Sequence, residues 1–329
     1  MPVPLIIDTD PGVDDAFAIA LAALHPDVDL LAVTTVYGNV PLATTTPNAG
    51  RVLALCGRAD VPVAAGADRP LVYPYRHRTG TVHGVDGLSG IAGTLPDPAP
   101  VHAESALELT ARLLAEAREP VTIAAIGPLT NIALLLAGFP KLRNKIGRLV
   151  IMGGGLNRGN STAAAEFNVH CDPEAARRVL VGGSVPTTLV PLDLTYRCAV
   201  SDVDLAELAA ASPIGAALVG LTGSYRTHYR DVLGWNGIVL HDAVAVAEAI
   251  SQGLLRTEEF PLDVDCTHGP SRGATIVDQR RVSHRRSAIR DTADHIDNTV
   301  DELDNLVDVA TEADLTEVRQ FIWHTIGAK

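Results

Sequence analysis

An α/β fold with a mostly parallel central sheet flanked by helices is predicted by three features of this sequence. Short apolar, β-rich runs alternate with Ala/Leu-rich segments of helical period over the first two thirds of the chain. Each run is apolar at consecutive positions, as expected of strands covered on both faces, which is how parallel sheets are built. With 329 residues, 47% of them hydrophobic and 20% charged, the chain can bury the large core such a sheet needs. The expected architecture is a doubly wound, Rossmann-like core.

The elements follow in order. "PLIID" leads into "DDAFAIALAAL", "DLLAVTTVYG" into "NAGRVLALCG", "PVTIAAIG" into "LTNIALLLAG", "RLVIMGGG" into "PEAARRVLVG", and "PTTLVPLD" closes the series. From about Asp202 the pattern becomes mostly helical, with short strand candidates at "FPLDVDC", "GATIVD" and "LVDVAT" and a last helix near "EADLTEVRQFIWHTI". No linker or change of composition divides the chain, so residues 1–329 are expected to form one domain with an embellished, mostly helical C-terminal region. The stretch from Ala67 to Pro100 is too long for a simple connection, and such loops often cover sites.

Charge and composition exclude several classes. Asp and Glu number 39 against 26 Lys and Arg, a net charge of -13 that repels phosphate backbones and anionic lipid. The one basic run, "DQRRVSHRRSAIR" from Asp278 to Arg290, lacks interleaved aromatics and suits a solvated face. Cys56, Cys171, Cys198 and Cys266 are scattered and are expected as buried, reduced thiols. The chain starts on a strand, shows no leader pattern and contains no apolar run long enough to span a bilayer, so a soluble cytoplasmic protein is expected.

The chemistry concentrates in "LIIDTDPGVDDAFAIALA", which sets Asp8, Asp10, Asp14 and Asp15 within eight residues. Asp8 and Asp10 end the first strand, Pro11 and Gly12 turn, and Asp14 and Asp15 open the first helix, at the sheet edge where α/β proteins bind ligands. One Asp would suffice to cap a helix. Four repel one another unless protonated or sharing a cation, and with oxygen donors only the fitting cation is hard, Ca²⁺ or Mg²⁺. Asp193, at the end of "LVPLD", and His241-Asp242, opening "HDAVAVAEAI", are expected to reach the same edge. Taken alone, His241 is more often a helix cap or a packed core histidine than a catalyst; beside an acidic metal cluster the balance reverses. In "AAEFNVHCDPEAA", Glu166 and Asn168 fall in a loop and suit either local hydrogen bonds or the wall of a pocket for a polyhydroxylated ligand. "MGGGLNRG" departs from the dinucleotide fingerprint because Arg158 takes its third glycine position.

Taken together, "DTDPGVDDAFAI", Asn39 in "TTVYGN", "AIGPLTNIA", "MGGG", "GNSTAAAEFNVHCDPEAA" and "LHDAVAV" resemble the inosine-uridine-preferring nucleoside hydrolases, in order and at matching spacing from about Leu5 to Ile250. The resemblance implies hydrolysis of the N-glycosidic bond of a ribonucleoside to ribose and free base, in nucleoside salvage, with one Ca²⁺ bound. It implies calcium ligands at Asp10, Asp15, Asp242 and the Ile126 carbonyl. It further implies that Asp14, Asn39, Asn168 and Asp242 hold the 2′ and 3′ hydroxyls, that Asn160 and Glu166 reach the 5′ hydroxyl, and that Met152 packs under the sugar. By the same resemblance Asp10 is the general base, His241 is a candidate general acid, His83 and Tyr229 lie beside the base with Tyr225, and the assembly is a homodimer or homotetramer. Asp8 has no counterpart in this scheme and is expected to support the site from behind. A histidine at position 241 favours the inosine/uridine or pyrimidine-preferring branch.

Two rivals remain at this level. A haloacid-dehalogenase-like phosphatase also begins with a strand and Asp-x-Asp, but it needs a downstream lysine, none precedes Lys141 here, and Asp14-Asp15 has no use in that scheme. A nucleoside-binding module with structural calcium could use the same pocket without turnover.

Overall fold

Alternating residues of the first strand, β1 (Val3–Thr9), point into opposite layers: Leu5 and Ile7 pack on one side of the sheet and Ile6 on the other. The computed structural model describes residues 2–74, 82–182, 185–279 and 306–328. Among these, nine strands form one sheet, β10 (Thr275–Val277), β9 (Leu255–Val264), β11 (Leu306–Ala313), β6 (Thr187–Val190), β5 (Ile146–Met152), β4 (Val121–Ala125), β1, β2 (Val28–Thr35) and β3 (Val63–Ala65), in that spatial order. All pair in parallel except β9, which runs antiparallel to both β10 and β11. The three tail strands expected from sequence therefore extend the main sheet beyond β6, with β10 at its edge. The three-residue strands β3, β7 (Ala199–Ser201) and β8 (Gly237–Val239) were not foreseen, because so short a run carries no periodicity. Most of the basic run, residues 280–290, lies outside the described residues.

From β1 the chain winds outward through β2 to β3 and then returns to place β4 on the other side of β1. The carboxyl ends of β1 and β4 thus form a topological switch point, where the strand connections leave a crevice. The Ile126 amide donates to the Asp8 carbonyl at 2.8 Å, so the two strand exits are bonded together there.

Two helices reach that crevice end-on. In α1 (Val13–Leu24) the eleven residues from Val13 to Ala23 are buried, and in α11 (His241–Ile250) all ten are. Both are Ala-rich, so their backbones approach neighbours closely, and both are apolar around the cylinder, as a helix enclosed on all sides must be. They pack on the same face of the sheet, with α2 (Leu42–Leu55) and the terminal helix α12 (Leu315–Gly327) beside them. The opposite face carries α3 (Ala106–Glu116), α4 (Thr130–Gly138) and α6 (Pro173–Leu180).

The far end of α11 is fixed by a buried ion pair. Arg148 of β5 donates to Glu248 Oε1 at 2.8 Å and to the carbonyls of Glu248 and Ala249, while the Glu248 carboxylate also accepts from the Gly253 and Leu255 amides. Breaking a buried, hydrogen-bonded pair leaves the partner charge uncompensated. Glu248→Ala is expected to lower unfolding free energy by about 3 kcal/mol in urea titration, and an unchanged midpoint would show that the pair does not hold α11.

Candidate active site

The N-termini of α1 and α11 bring carboxylates face to face. Oxygen atoms of Asp14, Asp15 and Asp242 lie within 4.8 Å of one another, all three residues buried. Asp15 is fully engaged: Oδ1 accepts from the Thr9 hydroxyl, and Oδ2 accepts from the Gly12 amide at 2.8 Å and from Asn39 Nδ2 at 3.2 Å. Asp10 stands outside this tightest trio because the Asn39 amide holds its Oδ2 at 2.6 Å. Its carboxylate is packed between two glycines. A Cβ on Gly38 would come to 2.0 Å of Oδ2, and one on Gly127 to 2.7 Å of Oδ1.

The electrostatics follow from burial. Desolvation pushes the Asp10 and Asp242 carboxyls well above the usual range and Asp14 up to about 8, with repulsion from neighbouring carboxylates adding to it. Asp15 is also raised by burial, against the opposing pull of its hydrogen bonds. Among the described residues no Lys or Arg forms a salt bridge with any of the four, and the nearest basic group is His83 Nδ1, 3.9 Å from Asp14 Oδ1. Either protons or a cation must relieve such a cluster. An all-oxygen donor set at two helix N-termini, with a backbone carbonyl at Ile126 on the cavity wall, fits a metal ion of the hard class.

Asp8 lies behind this floor. It is 1% exposed; Oδ1 accepts from the Thr34 hydroxyl and Asn131 Nδ2, Oδ2 is buried without a partner, and burial raises its pKa to about 6.

Above the floor is a cavity of about 680 Å³. It collects Asp14, Asn39, His83, Ile126, Met152, Asn160, Glu166, Asn168, Tyr225, Tyr229, His241 and Asp242, so every expected substrate residue reaches one space, with Asp10 and Asp15 beneath it. Asp193 does not. Its carboxylate accepts from the Leu156 amide and Asn157 Nδ2 and pins the loop after β5, because α7 (Leu192–Thr195) turns it that way.

The wall formed by residues 160–171 is more ordered than a loop. Glu166 caps the short helix α5 (Phe167–Cys171), accepting from the Asn168, Val169 and Gly154 amides, and burial nonetheless lifts its pKa to about 7. Asn168 Nδ2 donates to the carbonyls of Ile126 and Met152, both at 3.1 Å. Asn160 Oδ1 accepts from the Phe167 amide.

On the opposite side, α10 (Gly223–Leu233) presents Tyr225 and Tyr229, and Tyr229 Oη lies 2.7 Å from His241 Nε2. The other ring nitrogen, Nδ1, is 2.7 Å from the Thr195 hydroxyl. Burial drives the His241 pKa down to about 3, reinforced by His83 and Arg158, so the ring is neutral. His83 is likewise lowered to about 3 by burial; its Nδ1 accepts from the Val13 amide at 3.0 Å, capping α1. Sequence reasoning missed Thr195, and also Tyr196, which meets the His241 ring edge-on at 5.1 Å and carries the Arg158 guanidinium 4.2 Å above its own face. "LTYRC" contains no motif that marks either residue.

The thiols are mostly as expected: Cys56, Cys171 and Cys198 are buried, whereas Cys266, two residues past the end of β9, is only half-buried.

Comparison with known proteins decides the family. Residues 5–319 match the model of the inosine-uridine preferring nucleoside hydrolases. The chain belongs to that family. It is a hydrolase of the N-glycosidic bond of ribonucleosides. Among its relatives, the pyrimidine-specific ribonucleoside hydrolase RihA of Photobacterium profundum is 40% identical over 286 residues, covering 85% of this chain and 90% of the relative. RihA of Escherichia coli O8 is 40% identical over 282 residues, with 84% and 89% coverage. Among solved structures, the plant nucleoside hydrolase PpNRh1 superposes with a TM-score of 0.89 at 31% identity over the whole of both chains. A purine-preferring ribonucleoside hydrolase from Gardnerella vaginalis gives 0.84 at 28% identity, with 99% of each chain covered.

In this nucleoside hydrolase the close approach at Gly38 leaves no room for a side chain. Gly38→Ala is expected to displace the Asp10 carboxylate and cut kcat by about 100-fold or more, while thermal unfolding stays cooperative. Native turnover in that variant would show that the placement of Asp10 is not required.

Proposed function

We propose that this enzyme is a Ca²⁺-dependent, pyrimidine-preferring ribonucleoside hydrolase. The observation that carries the reading is the opposition across one cavity of a buried carboxylate floor and a neutral tyrosine-histidine pair. Asp10, Asp15, Asp242 and the Ile126 carbonyl would hold the calcium, with Asp14 at its edge. When bound, calcium supplies a positive charge that offsets carboxylate repulsion, anchors hydroxyl oxygens and lowers the pKa of a bound water.

The chain's own groups divide the rest. Asp14, Asn39, Asn168 and Asp242 hold the 2′ and 3′ hydroxyls, Asn168 through Oδ1 because both its amide hydrogens already serve backbone carbonyls. Asn160 and Glu166 meet the 5′ hydroxyl, and Met152 packs under the sugar. Cleavage of the ribosyl C–N bond passes through a ring gaining positive charge, which the surrounding carboxylate and amide oxygens favour over the neutral ground state. Asp10 accepts a proton from the water that attacks C1′. The departing base takes a proton from Tyr229, whose phenol faces His241; with the imidazole neutral, His241 acts through that hydroxyl instead of as a standing acid. His83 and Tyr225 line the base side.

Base preference rests on the 40% identity to the pyrimidine-specific relatives and on these hydroxyl donors, which suit a pyrimidine carbonyl. Initial rates on uridine, cytidine, inosine, adenosine and guanosine, with and without a calcium chelator, test the reading. Release of reducing sugar is expected to be fastest with uridine or cytidine and to disappear on chelation, returning with added Ca²⁺. Purine rates above both pyrimidine rates would overturn the preference, and chelator-resistant turnover would overturn the metal. Separately, Asp10→Asn is expected to lose about 1,000-fold or more in kcat while remaining folded by circular dichroism; near-native turnover would remove Asp10 as the base.

A further inference from the structure

We infer that Thr195 is a positioning residue: its hydroxyl sets the His241 tautomer, and so leaves the Tyr229 proton available to the departing base. The inference rests on the leaving-group role given to Tyr229 above.

A neutral imidazole carries one N–H and one lone pair. Here both nitrogens face hydroxyls at 2.7 Å, Nε2 facing Tyr229 and Nδ1 facing Thr195. Since a hydroxyl can donate or accept, two arrangements are possible. In the first, Tyr229 donates to Nε2, so its only proton is committed to the ring. Nδ1–H then donates to Thr195, whose own proton is left with the Leu192 carbonyl, 3.5 Å away. In the second, Thr195 donates to Nδ1, Nε2–H donates to the Tyr229 oxygen, and the phenolic proton is free to enter the cavity.

The surroundings of Thr195 favour the second. The residue is 0% exposed, and its alternative acceptor lies at the outer limit of hydrogen-bond length. A buried hydroxyl proton gains most from the short bond. Thr195 is also held in place: its amide donates to the Pro191 carbonyl within α7, and Tyr196 fixes the plane of the imidazole edge-on. The Tyr225 hydroxyl donates to the Val239 carbonyl at 3.1 Å, and its oxygen lies 3.5 Å from that of Tyr229, at the outer limit of hydrogen-bond length, so it holds the Tyr229 proton only weakly.

The proton balance closes. Tyr229 gives its proton to the base as the C1′–N bond breaks and the bond electrons leave with the base, and the phenol oxygen keeps the electron pair of its O–H bond. Burial makes a bare phenolate costly, and the Nε2–H bond offsets that cost while Thr195 supports Nδ1. The proton that Asp10 takes from water restores the phenol after the products leave.

The test uses uridine and 4-nitrophenyl β-D-ribofuranoside, whose leaving group departs without a proton. Thr195→Val is expected to lower kcat on uridine by about 10- to 100-fold and to cost the nitrophenyl riboside no more than about 3-fold. Thr195→Ser, which keeps the hydroxyl, is expected to stay within about 3-fold of wild type on both. Equal losses on the two substrates, or a serine variant as impaired as the valine one, would overturn the inference. Nitrogen-15 NMR of histidine-labelled wild-type enzyme gives an answer independent of turnover and of variant folding: unprotonated Nδ1 and protonated Nε2 at His241 support the assignment, and the reverse defeats it. Tyr229→Phe separates the two levels. If it retains full uridine activity, the leaving-group reading fails and this inference with it; if it loses activity while Thr195→Val does not, the inference alone fails.

Discussion

Carboxyl groups held close together in a buried place are the constraint on which this structure depends. Ionised together, three carboxylates within 4.8 Å would repel by about 3 kcal/mol or more per pair even at an effective dielectric near 20. Helix dipoles return only about 0.3–1 kcal/mol each at the N-termini of α1 and α11. The hydrogen bonds from Thr9, Gly12 and Asn39 stabilise single oxygens and do not cancel the mutual repulsion. The fold therefore holds a cluster that protons or a cation must relieve, and it does so by burying both helices along nearly their whole length and fixing α11 at its far end through Arg148.

The same constraint explains the small residues around the floor. Carboxylates can share a ligand only if the backbone behind them approaches closely, and Gly12, Gly38 and Gly127 stand where a Cβ would overlap His83, Asn39 or Asp10. These glycines have ordinary backbone angles, so what they supply is space. Asp8 is the exception within the cluster. It faces Thr34 and Asn131 away from the cavity, and one of its oxygens is left without a partner, so it reads as part of the strand-exit scaffold.

The architecture was legible because its signals are local. Runs such as "PLIID" and "PVTIAAIG" state both that a strand is present and that both its faces are covered, and the Asp-rich turn after the first strand marks the ligand edge of an α/β sheet. The carboxylates could be counted, but their pairing across α1 and α11 depends on how two helices converge, which spacing along the chain does not encode. Thr195 and Tyr196 were invisible for the same reason: a threonine and a tyrosine at the end of a one-turn helix acquire meaning only when His241 arrives from 46 residues away. Asp193 misled because a carboxylate at a strand end looks the same in sequence whether it faces the pocket or bonds the neighbouring loop.

The two walls of the cavity have opposite requirements, and the structure meets them by opposite means. On the floor, negative charge has to persist so that a sugar ring becoming cationic is favoured; burial works against this by raising every carboxylate pKa, which is why a metal ion belongs there. On the tyrosine side a standing positive charge would oppose the same cationic ring and be drawn toward the floor. Burial there works with the proposed chemistry: it holds His83 and His241 neutral, and proton transfer is left to hydroxyls that carry no charge until the bond breaks. Desolvation thus disfavours charge on both walls, which suits the tyrosine side and leaves the floor in need of a cation.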